Sequence, residues 1–91
     1  MKIRVMITIT GAVQGVNFRH FTQQSALRHD VKGWVRNLPS GAVQGCFEGE
    51  EMDVMTLVDW CRTGPSRARV DEVKIEKGEF SGEFKVFEIR H

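Results

Sequence analysis

An α+β sandwich, an antiparallel sheet with two helices packed on one face, is the fold class the sequence predicts, and three observations predict it. Runs of alternating apolar residues open the chain and recur through it, two stretches carry apolar residues at spacings of three and four, and Gly or Pro breaks arrange them as β-α-β-β-α-β. With 91 residues, 41% of them apolar and 27% charged, the chain has room for one domain, 1–91, built on one core.

Each element follows from its residues. Over 3–9, Ile3, Val5, Ile7 and Ile9 alternate with Arg4, Met6 and Thr8, the period of a strand with one face buried. Residues 11–18, punctuated by Gly11 and Gly15, read as an irregular loop. A helix over 18–29 follows from the stripe Phe18, Thr22, Ala26 and His29. Residues 31–38 and 42–48, joined by the turn Pro39-Ser40-Gly41, form a β-hairpin. A second helix over 52–62 carries Val54, Leu57, Val58 and Cys61 on one face and stops at Gly64-Pro65. Val70, Val73 and Ile75 mark a fourth strand, and 84–89, after Gly82, a short closing one. This is the split β-α-β order of ferredoxin-like folds. One sheet face then opens to solvent with Trp34, Arg36, Gln44, Cys46 and Glu48 on it, which makes Cys46 a surface thiol and Cys61 a core one. Gly45 and Phe47 point inward side by side, a small and a large core residue.

Composition narrows the function. Thirteen basic and twelve acidic residues leave a charge of +1, so no global field gathers polyanions, and nucleic acid is not an expected partner. An RNA-binding sheet would need exposed aromatics, and Trp34 is the only one placed for it. Cys46 and Cys61 have neither metal-site nor disulfide-framework spacing, and no signal peptide or membrane span is present. A cytoplasmic monomer with reduced thiols, no cofactor and no metal is the expectation.

Two segments carry chemistry. The loop between the first strand and first helix ends in Arg19, where the helix begins. The first helical N–H groups lack intrahelical acceptors and sit at the positive end of the dipole, so Gly15, Val16, Asn17, Phe18 and Arg19 can offer backbone amides to a phosphate. Arg19 adds a planar fork matched to two phosphoryl oxygens. In the other segment, Asn37 ends a strand beside the Pro39 turn, and its side-chain amide combines donor and acceptor, which suits it to hold a water and bond developing charge. His20, beside Arg19, reads as a solvated surface residue, and His29 and His91 as a helix end and a disordered terminus.

Together the two segments resemble the acylphosphatase family, in GAVQGVNFRHF at 11–21 and GWVRNLPSG at 33–41, with further likeness at Glu48-Gly49, Trp60, Gly64-Pro65 and the closing Phe87-Glu88-Ile89-Arg90. The resemblance implies the ferredoxin-like fold and hydrolysis of the carboxyl-phosphate bond of a small acyl phosphate to a carboxylate and inorganic phosphate. It further implies Arg19 as phosphate ligand beside the loop amides, and Asn37 as positioner of a water attacking in line. Three positions depart from the common pattern: Asn17 where Gly or an aromatic is usual, His29-Asp30 for Leu-Gly, and Ser40-Gly41 for Asp-Gly. Asp30 is expected to accept a left-handed conformation, and Asn17 to bear on substrate preference.

Overall fold

The computed structural model describes Met1–His91 in the order β1 (Lys2–Ala12), α1 (Phe18–Arg28), β2 (Lys32–Asn37), β3 (Val43–Glu50), α2 (Glu51–Thr63), β4 (Arg69–Gly78) and β5 (Phe87–Arg90). The sheet order is β4-β1-β3-β2-β5. β1 lies between β4 and β3, antiparallel to both, and β2 pairs antiparallel with β3, so the predicted four-strand core is present. The closing strand differs from the expectation of an all-antiparallel sheet: β5 joins the β2 edge in parallel, Gly33 opposite Phe87 and Val35 opposite Ile89, which makes the sheet mixed. Its direction follows from its route, because residues 79–86 carry the chain from the β4 edge across to the β2 edge before β5 begins.

Alternation puts Val5, Ile7 and Ile9 of β1 fully into the core beneath the helices, with Val35, Val43 and Phe47 beside them. Each of these aliphatic side chains contributes about 2 kcal/mol by leaving water. Gly45 is the predicted small partner: a Cβ there would lie 2.8 Å from the Phe47 ring, so the absent side chain is the space the ring occupies. Phe47 in turn packs on Phe87 of β5, ring centroids 5.8 Å apart.

The first helix ends one residue short of expectation. His29 is its C-cap, half-buried, and the stripe is completed by Ser25, which the pattern had placed on the flank. Asp30 takes φ 55°, the left-handed turn expected of it. The Val31 amide reaches back to the Ala26 carbonyl (2.9 Å) and both side chains are buried, which closes the helix in a Schellman motif with Asp in the usual glycine position.

The open face is less open than the alternation implied. Cys46 is fully buried, Glu48 is 1% exposed and Trp34 9%, and Gln44 is half-buried, whereas Arg36 is exposed as expected. Residues 79–86 cause much of this: the Glu48 carboxylate accepts hydrogen bonds from the Ser81 amide (2.9 Å), the Ser81 hydroxyl (2.9 Å) and the Gly82 amide (3.1 Å), and pairs with Arg4 at 3.3 Å. Arg4 also lies over Phe84 and donates from Nε to Cys46 Sγ at 3.2 Å. With that backbone committed to Glu48, the last strand starts at Phe87 and not at residue 84. Trp34 lies under the guanidinium groups of Arg36 and Arg90, 5.3 and 4.9 Å from the ring, which closes it to base stacking.

Both thiols are therefore protected. Burial pushes the Cys61 thiol up to about 12, opposed in small part by the Thr22 hydroxyl, and burial raises Cys46 as well, opposed by Arg4. The thiolate is the reactive form, so Ellman's reagent at pH 8 is expected to label neither cysteine in the native protein and both in guanidinium; rapid native labelling would contradict this packing. Above the unfolded thiol value of about 8.5 the unfolded chain releases thiol protons that the native state retains. Stability accordingly falls as pH rises from there toward the folded value.

Candidate active site

At one end of the sheet, β1 runs into the loop 13–17 and β2 turns into β3, so the two motif segments meet. A depression of about 250 Å³ there is lined by Gly15, Asn17, Phe18, Arg19 and Asn37, together with Val13, His20, Ile89 and His91. Of the residues anticipated from sequence, Val16 alone is not among the lining; its half-buried side chain packs against the core. A larger hollow of about 790 Å³ beside α2 is lined by Glu50, Glu51, Asp53 and Asp59, whose charges disfavour an anionic ligand.

The loop's shape comes from two left-handed residues, Gly15 at φ 75° and Asn17 at φ 64°. Nothing lies within 4 Å of where a Gly15 Cβ would stand, so glycine is required there by the backbone and not by a neighbour. Asn17 explains its own departure from the common pattern, since asparagine is among the few side chains that tolerate this region. Phe18, 2% exposed, anchors the helix start against Trp60 with ring centroids 5.6 Å apart, and the Thr22 hydroxyl donates to the Phe18 carbonyl at 2.8 Å.

Asn17 is the N-cap of α1 but makes no side-chain capping bond, and the first turn holds no acidic residue. It holds Arg19 and His20 instead, a charge pattern unfavourable to the helix dipole. The second helix has the usual arrangement, with Glu51 and Asp53 in its first turn. The start of α1 thus keeps its N–H donors and its positive end unanswered within the protein.

Arg19 is half-buried, and only its Nη1 has protein partners: the Arg90 carbonyl at 3.2 Å and His91 Nδ1 at 3.4 Å. His91, expected as a loose terminus, therefore stands beside Arg19. Gln23 donates to the Phe87 carbonyl at 3.0 Å and ties α1 to the same strand. Asn37, half-buried, ends β2 opposite Val43, and the following turn is closed by Leu38 N–H to Ala42 O at 2.8 Å. Sequence reasoning missed Ile89 and His91, which reach the site through the parallel pairing of β5, and Gln14, whose side chain bonds the β2–β3 turn. No group of three or more His, Cys, Asp or Glu side chains is arranged to hold a metal ion.

Chemically, such a pocket can receive a small oxyanion on backbone and guanidinium donors while an amide side chain faces it. Comparison with known proteins gives the chain a family. The acylphosphatase family model matches residues 5–89. A curated acylphosphatase from Geotalea uraniireducens is 63% identical over 91 residues, covering all of both chains. Among solved structures, the acylphosphatase of Bacillus subtilis superposes with a TM-score of 0.94 at 28% identity, covering 98% of this chain and 99% of that one. An acylphosphatase from Coxiella burnetii gives 0.92 at 32% identity, covering 98% and 93%. The chain belongs to the acylphosphatase family.

Proposed function

We propose that the protein hydrolyses small acyl phosphates to a carboxylate and inorganic phosphate, with Arg19 and the amides of Gly15 to Arg19 receiving the phosphoryl group and Asn37 holding the attacking water. The observation that carries this reading is the uncapped, acid-free start of α1 in one depression with Arg19 and Asn37. A phosphate there would supply the acceptors and negative charge that the helix start lacks.

The reaction asks little of the protein beyond position and charge. Water oxygen bonds to phosphorus as the phosphorus–acyl oxygen bond breaks, and the electron pair leaves on the carboxylate, a good leaving group. Both water hydrogens end on the phosphate, so a substrate dianion and water yield a carboxylate and a dihydrogen phosphate monoanion. In a loose phosphoryl transition state the equatorial oxygens carry the charge, and preorganised N–H donors lower its energy without moving. An amide side chain suits Asn37 because its carbonyl accepts from the water while its NH₂ donates to the phosphoryl oxygens.

Steady-state release of phosphate from benzoyl phosphate tests the reading. Rapid turnover is expected, with p-nitrophenyl phosphate, whose leaving group is poorer, far slower; no turnover of benzoyl phosphate by the folded protein would overturn it. Arg19→Ala is expected to weaken inhibition by inorganic phosphate by about 10- to 100-fold, the range for a lost charge-assisted hydrogen bond. Arg19→Lys should recover only part, because an ammonium lacks the fork. An unchanged inhibition constant in Arg19→Ala would remove Arg19 from the phosphate site.

No helix is long and apolar enough to cross a membrane. We place the protein in a reducing cytoplasm as a monomer. Its two cysteines are unpaired, and its exposed large apolar residues, such as Leu27, Met52 and Val86, are spread over separate segments.

A further inference from the structure

The two halves of the site come from different parts of the chain, and one side chain joins them. Gln14 Nε2 donates to the Leu38 carbonyl at 2.8 Å and to the Ala42 carbonyl at 2.9 Å. These are the only hydrogen bonds between the loop 13–17 and the turn 38–42. The turn satisfies itself otherwise: Leu38 N–H bonds Ala42 O, and Gly41 N–H bonds Leu38 O at 3.1 Å. Each of the two carbonyls thus uses one lone pair inside the turn and offers the other to Gln14. Because both partners are acceptors, the group between them must offer two hydrogens, as the Gln14 NH₂ does and a carboxylate cannot.

Gln14 immediately precedes Gly15, where the loop turns left-handed, and Leu38 immediately follows Asn37. The geometry points to Gln14 as a positioning residue that sets the distance between the phosphate-receiving loop and Asn37, and so the alignment of water with phosphorus; this rests on the roles proposed above. In-line displacement is sensitive to that distance, since a misplacement of about 1 Å can cost 10²-fold in rate. The loop amides and Arg19 follow Gln14 in the chain and are held by Phe18 and the helix, so the anion site itself survives loss of the tether. Gln14 is also exposed, and a solvent-exposed hydrogen bond adds little to stability. Its effect therefore falls on turnover, leaving phosphate affinity and folding nearly unchanged.

A double-mutant cycle on benzoyl phosphate hydrolysis tests this, using wild type, Gln14→Ala, Gln14→Glu, Asn37→Ala and Gln14→Ala/Asn37→Ala. Gln14→Ala is expected to lower kcat by about 10-fold while the inhibition constant of inorganic phosphate moves less than about twofold and the melting temperature less than about 3 °C. Gln14→Glu, isosteric but without hydrogens to donate, should lose at least as much. In the Asn37→Ala background the Gln14→Ala change should cost less than about twofold, because there is no longer a positioned water to misalign. Equal losses in both backgrounds, or a kcat for Gln14→Ala near wild type while Asn37→Ala is impaired, would overturn the role of Gln14 alone. An inactive wild type, or normal kinetics in Asn37→Ala, would overturn the site assignment and the tether with it.

Discussion

Replacing Asn37 by Ala is expected to lower kcat on benzoyl phosphate by about 10²-fold or more, with KM changed less than about threefold. The side chain is half-buried at the end of β2, and the β2–β3 turn beyond it is closed by backbone bonds that do not involve it, so the substitution leaves the fold intact. What it removes is the group proposed to fix the water and bond the phosphoryl oxygens, an interaction that strengthens as charge spreads in the transition state. The phosphate ligands on α1 remain, which is why binding should hold. Stopped-flow or steady-state kinetics with a thermal melt in parallel check this. A kcat within threefold of wild type would exclude Asn37 from the chemistry.

The largest expected effect on stability lies four residues earlier on the same strand. Gly33 sits in β2 at φ 134°, and a Cβ there would overlap the Cys46 carbonyl oxygen on β3, with Phe47 Cα 3.5 Å away. Gly33 also donates its N–H to the Val86 carbonyl at 3.0 Å, the link that brings the chain into β5. Gly33→Ala must therefore push β2 from β3 or abandon this backbone conformation, and rigid ladders flank it on both sides. A loss of about 4 kcal/mol is expected, the range of a clash combined with backbone strain, and for a domain of this size a fall of about 20 °C in melting temperature. Urea titration would give the same ordering; a loss below about 1 kcal/mol would mean that the strands part easily. Arg90 and His91, at the end of β5, are the partners of Arg19, so partial unpairing there should also reduce activity.

What could be read from the chain was what its local periods encode. Alternation identifies β1 and the hairpin, spacing of three and four identifies α2, and of the motif residues Gly15, Asn17, Phe18, Arg19 and Asn37 line one depression while Val16 does not. Asp30 was legible too, because the short polar side chains tolerate the left-handed region. The route of residues 79–86 was not. Its contacts span 33 and 34 residues to Glu48, they are made by Ser81 and Gly82, and Gly, Ser and Glu carry no period that would announce them. Glu48 reads as solvent-facing for that reason, and Cys46 and Trp34 do so because nothing local announces that Arg4 covers the one and Arg36 and Arg90 the other. Ile89 and His91 were missed for a related reason, since only the parallel register of β5 on β2 carries them to Arg19. Gln14 lay inside a quoted motif, yet nothing in a sequence says which distant carbonyls a glutamine will find.

In the proposed mechanism water attacks phosphorus within the α1 pocket, and hydrolysis of benzoyl phosphate in ¹⁸O-labelled water tests this attack most directly. Mass spectrometry of the products should find one ¹⁸O in inorganic phosphate and none in benzoate. Label in benzoate would mean attack at the carbonyl carbon with phosphate as leaving group, a reaction for which Arg19, Asn37 and the start of α1 would need a different assignment.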